Sequence, residues 1–125
     1  MIQSEYRNTN EKVSNLSYLS ETMGGNRKLI KEIMEVFLKQ APEELSNLNE
    51  AVEKKDYVKI KNVTHTMKSS ASIMGISTLS DILKEMEELG KIGTNIEKIK
   101  LLNDKLNIIC RKAIEEISKE MPNYI

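Results

Sequence analysis

One histidine, one cysteine, one phenylalanine and no tryptophan occur among 125 residues, along with two prolines and five glycines. Each shortage excludes something. One cysteine cannot close an internal disulfide, which removes the disulfide-stapled secreted scaffolds. One histidine and one cysteine cannot build a His/Cys zinc site, nor a di-iron bundle that needs two Glu-x-x-His pairs. Charge of one sign is also missing. Nineteen basic residues balance nineteen acidic ones, so no global field favours non-specific nucleic-acid binding, although a local basic patch stays open. No apolar run is long enough to span a membrane. The start, Met1-Ile2-Gln3-Ser4-Glu5, has no basic stretch followed by an apolar one, so no signal peptide is expected. The expectation is a cytoplasmic protein whose length suits one domain.

What is abundant is Leu, Ile, Met, Glu and Lys, a helix-forming mixture. No segment alternates β-branched and aromatic residues with period two, so no sheet is expected. Residues 1–15 are polar and read as a loosely ordered N-terminal segment, and residues 16–121 as the folded domain. A short helix is expected over 16–23, ended by Gly24-Gly25. Asn26 suits an N-cap for a long helix in which Leu29, Ile30, Ile33, Val36 and Phe37 recur at helical spacing, continuing through Leu45, Leu48 and Val52. Pro42 is expected to kink this helix or to begin a new one. Asp56 can cap a helix over 57–74 that Gly75 terminates. Ser77 can cap the next, over 78–89, which Gly90 and Gly93 close. Thr94 and Glu97 have capping-box spacing for a last helix that reaches about Lys119, with Pro122 just beyond. Its apolar stripe, Ile96, Ile99, Leu102, Leu106, Ile109, Ala113 and Ile117, also takes in Cys110, which reads as a small core residue. The sum is an all-α protein, an antiparallel up-down four-helix bundle with a short extra N-terminal helix.

On a helical wheel of the third expected helix, over 57–74, Ile60, Val63, Met67, Ala71 and Met74 form the core arc, and His65 lies roughly 160° from its centre. The only histidine therefore points to solvent. An incidental surface histidine is the plain alternative, and on position alone the two readings are equal. The neighbours favour chemistry. Lys68 follows by one turn, within reach of a group attached to the ring. Ser69, Ser70, Ala71 and Ser72 strip bulk from the surface beside the imidazole. Ser70 and Ala71 suit a close helix contact, whereas Ser69 and Ser72 face outward, where a flat protein surface could dock. A neutral imidazole, with an ordinary pKa near 6.5, offers one nitrogen as nucleophile once an acceptor holds the proton on the other. In the following helix, Glu87 borders the core arc of Leu79, Ile82, Leu83, Met86, Leu89 and Gly90. It is better placed than Glu85 or Glu88 to meet a residue across the groove, and an ordinary boundary glutamate is the equal alternative.

The run Thr64-His65-Thr66-Met67-Lys68-Ser69-Ser70-Ala71-Ser72-Ile73-Met74-Gly75 resembles the signature of histidine-containing phosphotransfer (HPt) domains of bacterial phosphorelays. The resemblance extends over about residues 16–118, through the double glycine, Asn26, Val36-Phe37-Leu38 and Ala41-Pro42-Glu43-Glu44-Leu45. It implies that His65 is the phospho-acceptor, that Lys68 assists the phosphoryl group and that Glu87 hydrogen-bonds the imidazole. It also puts Lys91 where relatives carry a basic residue near the docking surface, beside Lys61, Ser69 and Ser72. Ser69 departs from the pattern, standing where a glycine usually follows the lysine.

The expected function is a phosphoryl carrier in a multistep phosphorelay. His65 would take the group from a receiver-domain aspartyl phosphate and pass it to another receiver's aspartate. The partners implied are the receiver domains of hybrid sensor histidine kinases and of response regulators. No cofactor is expected on this chain, with magnesium on the receiver. No Gly-x-x-x-x-Gly-Lys-Ser/Thr loop is present, so the chain is not expected to be a kinase or any self-sufficient enzyme. A monomer without nucleic-acid or membrane partners is expected. The competing reading is a helical-bundle adaptor that binds receivers or other signalling proteins without being phosphorylated.

Overall fold

The computed structural model describes residues 12–124. Most of the segment expected to be loosely ordered, residues 1–11, lies outside the described residues. The rest of it is tied down. The backbone N–H groups of Val13 and Ser14 and the Ser14 hydroxyl all donate to the carboxylate of Glu116, at 2.7–3.1 Å.

Five α-helices follow, with no strand among the described residues: α1 (Leu16–Thr22), α2 (Arg27–Glu53), α3 (Tyr57–Ile73), α4 (Ser77–Ile92) and α5 (Ile96–Glu120). A 3₁₀ turn over Met121–Tyr124 ends the described chain. The four long helices pack in a ring, α2 on α3, α3 on α4, α4 on α5 and α5 back on α2. This is the up-down bundle expected from the short connections. Its core takes Ile30, Met34 and Leu48 from α2, Ile60 and Met67 from α3, Leu83 and Met86 from α4, and Ile99, Leu106 and Ile117 from α5. Burying each such side chain stabilises the fold by about 1.5–3 kcal/mol before conformational entropy is counted. Arg27 closes the ends, donating to the Asn123 carbonyl and lying over the Tyr124 ring at 5.1 Å from its centroid.

The details depart from expectation at identifiable places. Pro42 does not start a new helix, and α2 runs through it. Phe37 and Ala41 before it and Leu45 and Leu48 after it are buried on one face, and that burial carries the helix through the missing N–H. Leu29 and Val36 fit the helical period, yet they are 38% and 51% exposed. With Ile33, Phe37, Ile73 and Met74 they line a shallow groove of about 280 Å³ between α2 and α3. Ser77 does not cap α4. The N-cap is Ile76, whose side chain is fully buried and whose N–H is bonded to the Ala71 carbonyl in the turn after α3. That turn passes through Gly75 at φ +68, where a Cβ would stand 2.9 Å from Asn15 Cβ. Gly90 does not end α4 but lies buried inside it, and Gly93, in the left-handed conformation, ends it. Thr94 N–H still bonds back to the Leu89 carbonyl, so the α5 cap moves to Asn95, whose side chain accepts from Lys98 N–H. Asn95 adopts φ 61, which asparagine tolerates better than threonine does. Asn26 and Asp56 cap α2 and α3 as expected, accepting from Leu29 N–H and Lys59 N–H.

Candidate functional site

The exposed face of α3 meets the edge of α4 at His65. Asp56 starts α3 and the Gly75 turn ends it, so the buried set Ile60, Met67 and Ala71 turns the ring outward. The His65 side chain is 71% exposed. Its Nδ1 lies 2.7 Å from Glu87 Oε2, across the α3–α4 seam. Lys68 Nζ lies 2.5 Å from the other oxygen of the same carboxylate, Oε1. Glu87 thus bridges the two α3 side chains, and only 19% of it is exposed. The Lys68 ammonium, more than the His65 hydrogen bond, holds the Glu87 carboxyl below its ordinary value of 4.5, against the opposing effect of desolvation. An ionised carboxylate can only accept, so Nδ1 bears a proton, and in the neutral ring Nε2 is then the nitrogen with the free lone pair.

Thr64, next to the histidine, has a burial that the hydropathy pattern does not indicate. It is fully buried, which a polar residue tolerates here because its hydroxyl donates to the Ile60 carbonyl at 2.7 Å within its own helix. Of the other candidates, Ser69, Ser72 and Lys91 are exposed and Lys61 is half-buried. Lys61 lies one turn before His65 on the same face. The structure joins His65, Lys68 and Glu87 into one cluster and leaves these four around it. Among the described residues no group of three or more His, Cys, Asp or Glu is disposed to hold a metal. None of the helices they form is long and apolar enough to cross a membrane.

The family model for the Hpt domain matches residues 32–120, from within α2 to the end of α5. The chain belongs to the Hpt domain family. It is accordingly a histidine phosphotransfer protein of the phosphorelay kind, a phosphocarrier in signalling that works with receiver domains. No curated protein matches the chain. Solved structures do. Histidine-containing phosphotransfer protein B from Pseudomonas aeruginosa superimposes with a TM-score of 0.81 at 18% identity, covering 90% of this chain and 97% of that one. The HPT domain of an Hpt sensor hybrid histidine kinase from Shewanella gives a TM-score of 0.81 at 16% identity, covering 89% and 95%. At such identities these two likenesses speak for the fold alone. Within this Hpt fold the exposed imidazole, the carboxylate and the ammonium form a site open to a partner's surface, with one ring nitrogen already occupied.

Proposed function

We propose that His65 is the phospho-acceptor, taking the group from the aspartyl phosphate of one receiver domain and passing it to the aspartate of another. The observation that carries this reading is the 2.7 Å contact from Nδ1 to Glu87 on an otherwise exposed ring. In the forward step the Nε2 lone pair attacks phosphorus, an N–P bond forms, and the P–O bond to the donor carboxylate breaks with its electron pair. The ring keeps its Nδ1 proton, so the product is a phosphorylated imidazolium whose positive charge faces Glu87. The second transfer reverses these bonds on another carboxylate. Lys68, which rests on Glu87 in the free protein, is the cation available to the incoming phosphoryl oxygens.

Lys61, Ser69, Ser72 and Lys91 are the proposed docking residues around the ring. Magnesium is assigned to the receiver, and the chain works as a cytoplasmic monomer without cofactor, nucleic acid or membrane. The experiment is direct. Wild-type protein mixed with a phosphorylated receiver should acquire acid-labile, alkali-stable phosphate, and His65→Gln should abolish that label while the far-ultraviolet circular dichroism stays helical. A label that persists in His65→Gln overturns the assignment.

A further inference from the structure

We propose that Gly90 is a positioning residue for phosphotransfer: its missing side chain lets α4 approach the α3 backbone closely enough for Glu87 to reach His65. This rests on the reading of His65 as acceptor. A Cβ at position 90 would stand 3.0 Å from Lys61 N, 3.1 Å from the Tyr57 carbonyl oxygen and 3.3 Å from Lys61 Cα. All three are backbone atoms, and no rotamer change moves them aside. Nothing else at this position asks for glycine. Gly90 has helical backbone, and Gly93 already supplies the left-handed C-cap. Glycine is also a poor helix former, so α4 would gain from a larger residue here were there room for one.

The helices run antiparallel, so the two contacts lie in register. Gly90 meets Lys61 and Tyr57. One turn back along α4, Glu87 meets His65 and Lys68, one to two turns forward along α3. The tightest point of the α3–α4 crossing is therefore a turn away from the hydrogen bond that sets the imidazole tautomer. Crowding it pushes the carboxylate back from the ring. A 2.7 Å contact withdrawn by more than about half an ångström passes the roughly 3.2 Å limit of an ordinary N–H···O bond, and the preference for the proton on Nδ1 goes with it.

The test uses the full chain and a graded pair, Gly90→Ala and Gly90→Val, with Gly93→Ala as the control. Position 93 is open, so alanine there strains the helix end at φ +76 without crowding α3. Nitrogen-15 shifts of the His65 ring report the tautomer without any phosphoryl donor. In wild type and Gly93→Ala, Nδ1 should be the protonated nitrogen. In Gly90→Ala the ring should move toward a mixture of tautomers, further in Gly90→Val if that variant folds, and transfer from a phosphorylated receiver should slow by roughly tenfold. An unchanged tautomer and transfer rate in Gly90→Ala overturn the proposal. So does an equal tautomer change in Gly93→Ala, which would mark general loosening of α4. A wild-type protein that takes no phosphate on His65, yet shows the tautomer response, refutes the acceptor reading and leaves only a structural part for Gly90.

Discussion

At the scale of single residues, the site turns on one carboxylate with two partners. Because Lys68 binds Oε1 and His65 binds Oε2, removing either partner changes what the other experiences. Lys68→Met should slow phosphoryl transfer by roughly tenfold, since the cation facing the phosphoryl oxygens is lost. Stability should change by no more than about 0.5 kcal/mol, because the pair is partly solvated. Transfer assays beside urea titrations check this, and unchanged kinetics would make Lys68 an ordinary surface lysine. The same carboxylate carries a pH signature. The Glu87 value is lowered on folding, so its contribution is fully present above the ordinary 4.5 and is lost as pH falls through the lowered folded value. The stability gap between wild type and Glu87→Gln should therefore shrink as pH falls below about 4.5. A gap that widens on acidification below that value would contradict the assignment. The outward direction of His65 was readable from a helical wheel because it depends only on residues of its own helix. Thr64 was not, since its burial is permitted by a carbonyl one turn back, which no hydropathy pattern records. Nor was Gly90: in a sequence, a glycine needed for close approach looks the same as one that ends a helix.

At the scale of helices, existence and type followed from periodicity, while ends and interruptions depended on neighbours. The caps at Asn26 and Asp56 were legible because the polar residue stands directly before the apolar pattern. Those at Ile76 and Asn95 were not, because the preceding turns, pinned to the Ala71 and Leu89 carbonyls, decide where helical geometry resumes. Pro42 shows tertiary burial overriding local preference. The position is exposed, so its ring loses one helical hydrogen bond to the Leu38 carbonyl and disturbs nothing in the core. Pro42→Ala should accordingly stabilise the protein by about 2 kcal/mol, read as a higher urea midpoint at unchanged slope. A drop in the midpoint would mean that proline's restriction of the unfolded chain outweighs the missing bond. The α2–α5 seam holds a second case. Asn49 Oδ1 accepts from the side-chain amides of both Asn103 and Asn107, and its own amide donates to Asn107, all at 2.8–2.9 Å. Asn103 Oδ1 is buried without a partner. Asn49→Ala should cost about 2 kcal/mol by stranding the buried Asn103 amide, whereas Asn103→Leu, which removes the orphaned oxygen as well, should cost less. Denaturation of the two variants side by side tests that order, and the reverse order would locate the network's centre at Asn103.

At the scale of the whole molecule, the bundle was legible because four amphipathic stripes with short connections have few ways to bury one another. The groove between α2 and α3 was not, since Leu29 and Val36 obey the helical period and only the crossing of the helices leaves them outside. Cys110 makes the bundle's integrity measurable. It is 1% exposed on the inner face of α5, and burial, with the Glu44 charge adding to it, pushes its thiol up to about 11. At pH 8 it is both covered and protonated, so a thiol reagent can act only after α5 leaves the core. Such a departure breaks the contacts of Leu106, Ala113 and Ile117 together, which amounts to global unfolding rather than local fraying. Labelling should then track overall stability when reclosing is faster than modification. Pro42→Ala, stabilised by about 2 kcal/mol, should react roughly 25-fold more slowly than wild type. Urea should accelerate labelling with the slope of the equilibrium transition. Rates that ignore both the substitution and the urea would show α5 opening on its own, and the α2–α5 seam, not the whole bundle, would then be the weakest cooperative unit.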